Sequence, residues 1–273
     1  MFITVEGPEG AGKTTQMVYM ADLLRSKGLE VVTTKEPGGT FYATKIRELL
    51  LAPYEEESLC SNAELLLMFA ARAQHVEIVI KPALAAGKVV LCDRFTDSTY
   101  AYQHGGRGIP YDHIEDLEYL VLKGFEPDLT FLMDLDVNVG MERATARGKL
   151  DRFEQEEMDF FIRVQAAFLS RRDRDPERFA VIQADRSIDE VKEQVKPLIE
   201  LAAWRCKGKP GVPTLASEFL VGDIEVKIPR NLATFNSINW DELTETDKQK
   251  MNVMLRTGTE EQKRDVMAMI TKG

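Results

Sequence analysis

The sequence has few cysteines, no long apolar run and no excess of positive charge, and each absence excludes a class of protein. Its three cysteines (Cys60, Cys92 and Cys206) lie far apart without the spacing of a metal site, so we expect free thiols in a reducing compartment. No apolar run approaches the roughly 20 residues that a membrane-spanning helix needs. The formal net charge of −10 argues against a protein that wraps a nucleic-acid backbone.

The first residues lack the features of a targeting signal. A short apolar segment at 2–5 leads directly into a glycine-rich motif, without a basic region or a cleavage site. We therefore expect a cytoplasmic protein without membrane attachment. The 273 residues, 44% hydrophobic and 29% charged, have the composition of an ordinary globular protein, with room for one large domain and a small appendage.

Short apolar segments alternate with longer segments of helical periodicity over the first 206 residues. This alternation predicts an α/β fold in which a five-stranded parallel sheet is covered by helices on both faces. The predicted strands are 3–5, 30–34, 88–92, 129–135 and 179–182. The predicted helices are 13–27, 46–51, 63–84, 114–122, 137–145, 154–174 and 188–204.

The composition changes at Lys207. Residues 207–213 are rich in Lys, Gly and Pro, as in a linker, so we divide the chain into a main domain of residues 1–206 and a C-terminal extension of residues 207–273. The extension contains a predicted strand at 223–228 and two predicted helices at about 240–255 and 260–270. It is either a small packing element or a surface for a partner or a second copy.

The strongest motif is a complete phosphate-binding loop, G-x-x-x-x-G-K-[ST], and it predicts a P-loop NTPase-type fold. Glycines let backbone N–H groups turn around phosphate oxygens, and the following helix points its positive end at the same place. We expect the lysine to contact the β- and γ-phosphates of ATP and the threonine to ligate Mg²⁺. The motif consists of Gly7, Pro8, Glu9, Gly10, Ala11, Gly12, Lys13 and Thr14.

Two further features narrow this P-loop protein to a phosphotransferase, and the Asn-Lys-x-Asp segment of a GTPase is absent from the sequence. After the strand at 88–92, Asp93 is placed to hold Mg²⁺, directly or through water, or to accept a proton, and Arg94 to neutralise a transferred phosphoryl group. A basic cluster at 142–152 has the composition of a lid that closes over phosphates, or else of a solvated helix end. Its basic residues are Arg143, Arg147, Lys149 and Arg152.

At these residues the sequence resembles bacterial thymidylate kinase, and the similarity runs from about residue 2 to residue 204. The matching segments are E-G-x-E-G-A-G-K-T-T at 6–15, K-E-P-G-G-T at 35–40, M-F-A-A-R at 68–72, D-R-F at 93–95, A-Y-Q at 101–103 and G-G-R-G at 105–108. The resemblance implies a homodimeric kinase, joined through helices near 60–80 and 110–122, that transfers the γ-phosphoryl group of ATP to dTMP with Mg²⁺. The extension has no counterpart in this family.

The resemblance also implies roles for individual residues. Without it, Phe69 would be typical of a core residue and Arg72 of a surface arginine. On the acceptor side, it implies that Glu36 and Pro37 lie by the nucleotide and that Arg47 contacts its phosphate. It implies that Phe69 stacks on the thymine ring and that Arg72 forms a hydrogen bond with the edge of the base. Ser98, Tyr102 and Gln103 are implied to lie near the base and the sugar. Tyr102 would crowd a 2′-hydroxyl. On the donor side, Arg143 belongs to the ATP site and Asp185 lies in the loop near adenine.

Glu9 places a carboxylate inside an anion-binding loop, where phosphate repels it unless a cation offsets its charge. Family members with an acidic residue here draw a catalytic arginine from the lid. Arg147 and Arg152 are the two candidates in this sequence, and Arg147 is preferred slightly.

Two other functions stay open at this point. Phe95 stands where the family often has Tyr or His and removes a polar group near the acceptor, so a kinase for another deoxynucleotide or a nucleoside is one alternative. A scaffold protein that binds partners through its extension is the other. The intact Lys13, Asp93 and Arg94 favour catalysis.

Overall fold

Five parallel strands form the central sheet, in the order β2-β3-β1-β4-β5. The computed structural model describes residues 1–52, 56–148, 151–207, 218–221, 224–227 and 229, all within one compact unit. The strands are β1 (Phe2–Glu6), β2 (Val31–Lys35), β3 (Val89–Asp93), β4 (Leu129–Asp134) and β5 (Phe179–Gln183). The predicted five-stranded parallel sheet is confirmed.

Helices cover both faces of the sheet, as predicted. They are α1 (Lys13–Ser26), α2 (Phe41–Leu51), α3 (Ser61–His75), α4 (Lys81–Ala85), α5 (Thr96–Thr99), α6 (Tyr111–Leu122), α7 (Val137–Ala146), α8 (Met158–Arg174) and α9 (Ile188–Cys206). Two π-helical segments continue helices without a break: π1 (Val76–Ile80) joins α3 to α4, and π2 (Tyr100–Gly106) follows α5. The single helix predicted at 63–84 is therefore the α3–π1–α4 segment.

The main core lies between the sheet and helices α1 and α9. The apolar face predicted for the first helix, Met17, Met20, Ala21 and Leu24, is buried there. Met and Leu side chains each contribute about 1.5–3 kcal/mol when they are fully buried. β1 and β4 are buried along their length, whereas β2, at the edge of the sheet, alternates between half-buried and exposed residues.

The starts of α2 and α8 differ most from the prediction, and local hydrogen bonds define both. α2 begins at Phe41 because the hydroxyl of Thr40 accepts the Ala43 N–H at 3.1 Å, which caps the helix. α8 begins at Met158 because Asp151 forms a turn, in which its Oδ1 accepts the N–H of Glu154 at 3.0 Å.

The helical segment formed by α5 and π2 was not predicted. Its sequence is rich in Thr, Ser, Tyr and Gly, which favour helices weakly. Its side chains from Thr96 to Gln103 are all buried, so no polar face alternates with an apolar one. Tertiary packing, mainly against α8, determines this helix.

A β-hairpin follows the main domain. Its strands are β6 (Glu218–Val221) and β7 (Ile224–Lys227), paired antiparallel. β7 confirms the strand predicted at 223–228, whereas β6 was not predicted. Val226 is fully buried in the core beside the sheet and α9. The rest of the predicted linker and the helices predicted at 240–255 and 260–270 lie outside the described residues.

The sheet brings the ends of β1 and β3 together, although the two strands are not consecutive in the chain. The phosphate-binding loop follows β1, and Asp93 ends β3. Ligands in open α/β sheets bind in the crevice at the carboxyl ends of the strands. In the described part of the chain, no helix has the length and apolar character to cross a membrane.

Candidate active site

A cavity of about 1300 Å³ opens at this edge of the sheet. Its volume exceeds the 300–1,000 Å³ that is usual for the site of one small ligand. It brings together most of the residues predicted for the site, including Glu9, Gly10, Ala11, Gly12, Lys13, Thr14, Glu36, Pro37, Arg47, Arg72, Asp93, Arg94, Ser98, Tyr102, Gln103, Arg143 and Arg147.

The phosphate-binding loop depends on three glycines with positive φ, Gly7, Gly10 and Gly12, at 135°, 72° and 75°. A Cβ atom on Gly7 would lie 2.5 Å from the carbonyl oxygen of Met133, and one on Gly10 would collide with the carbonyl of Gly140. A side chain at either position would therefore displace the loop. Gly12 starts α1 in the left-handed conformation, and the positive end of the helix dipole opens onto the cavity.

The Lys13 ammonium occupies the mouth of this loop. Its Nζ donates to the carbonyl oxygens of Gly7 at 2.9 Å and Pro8 at 2.7 Å. Burial, reinforced by the nearby charge of Arg94, lowers the pKa of Lys13 to about 8. A phosphate beside Lys13 stabilises the charged ammonium, and the charged ammonium in turn strengthens phosphate binding.

Glu9 and Arg94 form an ion pair at the centre of the cavity. Glu9 Oε1 accepts from Arg94 Nη2 at 3.1 Å and from the Tyr102 hydroxyl at 2.6 Å. Arg94 Nη1 donates to the Gly7 carbonyl at 3.0 Å and to Ser98 Oγ at 3.1 Å. Burial raises the pKa of Tyr102 well above its usual value, so the phenol keeps its proton and donates. The sequence predicts that a lid arginine offsets the charge of Glu9. In the structure Arg94 is the arginine that contacts Glu9.

Glu6 is a site residue that the sequence reasoning missed. Fully buried at the end of β1, it accepts the Phe95 N–H at 2.6 Å and the Ser98 hydroxyl at 2.5 Å. Burial, together with the neighbouring Asp97 carboxylate, raises the pKa of Glu6 to about 7. These bonds fix the turn that carries Arg94. An acidic residue that ends an apolar strand was the available signal.

Asp93 and Thr14 form the donor set expected for Mg²⁺. Oδ1 of Asp93 is buried without a hydrogen-bond partner, and both residues line the cavity. The described residues contain no group of three or more His, Cys, Asp or Glu side chains that could hold a metal ion. Mg²⁺ bound to nucleotides keeps water and phosphate oxygens as most of its ligands, so one hydroxyl and one carboxylate fit this ion.

Glu36 and Arg72 form the opposite wall of the cavity. Glu36 Oε2 accepts from Arg72 Nε at 2.7 Å, and Glu36 Oε1 lies 2.9 Å from Nδ1 of the buried His75. Arg72 Nη2 donates to the Phe95 carbonyl at 3.1 Å. Nη1 of Arg72 is buried without a partner. A buried donor without an acceptor is unfavourable, so this atom favours a ligand carbonyl in the cavity.

The structure places Met68 at the cavity and Phe69 in the core. Met68 and Arg72 are four residues apart, so they share one face of α3, and both line the cavity. Phe69 is 2% exposed and packs with Leu65 and Tyr100. The stacking of Phe69 on a base stays a prediction, and Met68 is the apolar side chain of α3 that the structure presents.

Arg47, predicted to contact the acceptor phosphate, adds a further positive charge to the cavity. Its Nη1 donates to the Pro37 carbonyl at 3.0 Å. Burial lowers the pKa of Arg47 and the nearby charge of Arg94 lowers it further, but a guanidinium stays charged at any physiological pH. Two neighbouring guanidiniums in one cavity favour an anion such as a phosphate between them.

Arg143 and the loop after β5, both predicted for the ATP side, lie together. Arg143 Nη1 donates to the Ala184 carbonyl at 2.9 Å, and Arg143 lines the cavity. Asp185, the next residue, is exposed. The predicted adenine contact of Asp185 stays a prediction. Lys149 of the predicted lid lies outside the described residues.

The two candidate lid arginines occupy different environments. Arg147 lines the cavity, is 63% exposed and pairs with Glu154. Arg152 donates from Nε to the Leu50 carbonyl at 2.7 Å and from Nη2 to Glu64 at 2.6 Å. Arg147 is therefore at the cavity, whereas the guanidinium of Arg152 is bound to Leu50 and Glu64.

A phosphate-binding loop, an acidic strand end and an arginine-lined cavity define this protein as a P-loop phosphotransferase that acts on nucleotides. The family model for thymidylate kinase matches residues 5–195. The chain is 55% identical to a thymidylate kinase of Pseudomonas putida strain GB-1 over 208 residues, which cover 76% of this chain and 99% of that protein. The chain therefore belongs to the thymidylate kinase family.

Other comparisons agree with this assignment. A thymidylate kinase of Hahella chejuensis is 55% identical over 195 residues, which cover 71% of this chain and 93% of that protein. The crystal structure of a thymidylate kinase from Ehrlichia chaffeensis shares the fold with a TM-score of 0.55 at 38% identity, covering 67% of this chain and 91% of that one.

Proposed function

We propose that this protein transfers the γ-phosphoryl group of ATP to the phosphate of dTMP and releases ADP and dTDP. Membership of the thymidylate kinase family supports this reaction. Within the site, the observation that carries it is the single cavity that joins the phosphate-binding loop to the buried, unpartnered Nη1 of Arg72. The loop selects a triphosphate, and Arg72 offers a donor to the carbonyl edge of a pyrimidine.

The reaction needs positioned charge rather than a strong base. An oxygen of the dTMP phosphate attacks the γ-phosphorus, a new P–O bond forms, and the bond to the β,γ-bridging oxygen breaks as ADP leaves. The attacking oxygen is already anionic, so no proton has to be removed first. Lys13, Arg94 and Arg147 surround the region where negative charge is redistributed, and such preorganised donors lower the barrier by several kcal/mol, about 3–4 for one donor.

Mg²⁺ is the proposed cofactor, held by Thr14 and by Asp93, directly or through water. When bound, it neutralises charge on the phosphates and orients them. The unpartnered Oδ1 of Asp93 supports this assignment. Arg143 and Asp185 are assigned to the ATP side of the cavity.

The acceptor site is assigned to the opposite half of the cavity. Arg47 and Arg94 bind the dTMP phosphate, and Arg72 and Gln103 bind the base. Tyr102, 6% exposed and bonded to Glu9, restricts the space beside the sugar. Three further residues of the wall hold the arginines in place through hydrogen bonds. Glu36 accepts from Arg72, the Pro37 carbonyl accepts from Arg47, and Ser98 accepts from Arg94.

A homodimer and a cytoplasmic location are part of the proposal. Large apolar side chains are exposed on α3, π1 and α6, and α3 packs against α6, which supports a dimer contact through this surface. These side chains are Leu66, Ile78, Tyr119 and Leu120. The three cysteines are free, which suits a reducing compartment. Sedimentation of the wild-type protein and of Leu120→Glu tests the dimer, since only the variant should sediment as a monomer.

We also propose that residues 1–206 are the kinase domain and residues 207–273 an extension that contributes to its packing through Val226. The relatives support the boundary, because a match over 208 residues covers 99% of the Pseudomonas putida protein.

A panel of acceptors tests the proposed reaction. ADP release is measured with ATP, Mg²⁺ and dTMP, dUMP, dCMP, dGMP or thymidine in turn. The proposal predicts that dTMP has the highest kcat/KM. A higher value for dCMP, dGMP or thymidine would contradict it and favour the alternative of a different deoxynucleotide or nucleoside kinase.

A further inference from the structure

Glu64 on α3 is a buried carboxylate beside the acceptor half of the cavity, and the proposed reaction does not use it. It is fully buried. Its Oε1 accepts from Gln103 Nε2 at 2.9 Å and from Arg107 Nε at 3.4 Å, and its Oε2 accepts from Arg152 Nη2 at 2.6 Å. Gln103 itself lines the cavity. One carboxylate therefore ties a cavity-lining amide to two arginines.

The chemistry of Glu64 determines which way the amide of Gln103 faces. An ionised carboxylate only accepts hydrogen bonds, whereas a primary amide donates from its nitrogen and accepts at its oxygen. Gln103 must therefore turn its nitrogen towards Glu64, which leaves its carbonyl oxygen for a ligand. The reversed amide would bury two acceptors against each other, which is unfavourable.

The carboxylate is itself held in place. Arg152 also donates to the Leu50 carbonyl at 2.7 Å, so its guanidinium is fixed at two points. Arg107 also pairs with Glu156, at 2.5 Å. Because both arginines have a second acceptor, Glu64 is oriented from two sides and cannot rotate freely to release the amide.

The direction of this amide distinguishes pyrimidines. Thymine and uracil carry an N–H at ring position 3, which needs an acceptor, whereas the same nitrogen in cytosine is itself an acceptor. A carbonyl oxygen at Gln103 can accept the N–H of thymine or uracil, whereas it faces another acceptor in cytosine. We propose that Glu64 is a positioning residue that sets the base preference of the acceptor site by holding Gln103 as an acceptor. The inference rests on the proposed function.

The substitution Glu64→Gln tests this role, because it keeps the shape but can present either an oxygen or an NH₂ group to Gln103. We expect the ratio of kcat/KM for dTMP to that for dCMP to fall at least about tenfold, the scale of one hydrogen bond. The ratio for dTMP to dUMP should stay within about twofold, since both bases carry the same N–H. Glu64→Asp retains an acceptor-only group and should keep most of the preference.

Two further variants separate positioning from general damage. Glu48→Gln makes the same chemical change in the exposed ion pair with Lys45 on α2, outside this network, and should leave both ratios unchanged. Gln103→Leu should lower the dTMP to dCMP ratio by itself, and adding Glu64→Gln to it should lower the ratio no further, because the two residues act as one unit.

The outcomes are distinct. A wild-type protein without preference for dTMP over dCMP would contradict both the proposed function and this inference. A preference that survives Glu64→Gln in a folded protein would contradict this inference alone. Should Glu64→Gln fail to fold, Gln103→Leu decides, and an unchanged ratio in that variant overturns the inference.

Discussion

The Arg94 guanidinium contacts the phosphate-binding loop at two points, with Nη2 3.1 Å from Glu9 Oε1 and Nη1 3.0 Å from the Gly7 carbonyl oxygen. Arg94 has a φ of 65°, a left-handed conformation that costs a residue with a side chain about 1–3 kcal/mol. The bond from the Phe95 N–H to buried Glu6 holds the turn in this shape. Arg94 is therefore positioned both by its backbone and by its ion pair.

Replacing Arg94 tests whether this geometry serves catalysis. Lysine keeps the charge but cannot donate to Glu9, Gly7 and Ser98 at once from a planar group, so Arg94→Lys should lower kcat with dTMP at least about 10²-fold. Steady-state kinetics with saturating ATP measure the effect. Arg172→Lys, on the surface of α8 beside Asp173, is the matched control and should have normal kcat. A kcat for Arg94→Lys within threefold of wild type contradicts the assignment.

The two lid arginines should respond differently to removal. Arg147→Ala should lower kcat at least about 10²-fold with little change in thermal stability, because its side chain is largely exposed and lies at the cavity. Arg152→Ala removes the closer of the two arginines that contact the buried Glu64, at 2.6 Å against 3.4 Å for Arg107, so it should lower the free energy of unfolding by about 1–3 kcal/mol. Kinetics and chemical denaturation on both variants measure the difference.

The reverse pattern, a catalytic defect confined to Arg152→Ala, would move the catalytic role to Arg152. Near-normal kcat in both variants would remove the lid from the catalytic account altogether.

The raised pKa of Glu6 predicts a pH dependence of stability. The pKa is about 7 in the folded protein and about 4.5 in the unfolded chain, so the folded state binds more protons between these values. Stability from this group is therefore greatest below about pH 4.5 and falls as pH rises to about 7, by up to about 1.4 kcal/mol per pH unit. Glu6→Gln should remove this dependence.

Urea denaturation of wild type and Glu6→Gln between pH 5 and 8 measures the effect. The wild type should lose stability relative to Glu6→Gln as the pH rises from 5 to 7, and the difference in free energy of unfolding should then become constant. A constant difference across this range would show that Glu6 ionises as it does in the unfolded chain.

The buried Val226 predicts that the hairpin stabilises the kinase domain. Val226→Ala should lower the free energy of unfolding by about 1–3 kcal/mol, because it removes two methyl groups from the core. The exposed neighbour Lys227 provides the control, and Lys227→Ala should have no measurable effect. Equal stability of the two variants would argue that the extension acts independently of the kinase domain.

The sequence was sufficient for features with local causes. The phosphate-binding loop, the strand that ends in Asp93 and the apolar face of the first helix each follow from a motif or a period. Each is present where it was expected. The parallel sheet then follows from the alternation of elements.

Features that depend on distant contacts could not be obtained in this way. The helix from Thr96 to Gly106 has a sequence that favours helices weakly and is stabilised by burial. The buried hydrogen bonds of Glu6 and Glu64 are made to partners 89 and 39 residues away, which no local pattern connects. Met68 and Phe69 are adjacent in an apolar run, and only the position of the helix in the fold decides which of them lines the cavity.

This protein is a kinase that phosphorylates dTMP itself. The most direct measurement incubates the protein with ATP labelled in the γ-phosphate, Mg²⁺ and dTMP, and identifies the labelled product. We predict that the label appears in the β-phosphate of dTDP, with one ADP formed for each dTDP. Label found only as inorganic phosphate, or transferred to thymidine but not to dTMP, would contradict the account.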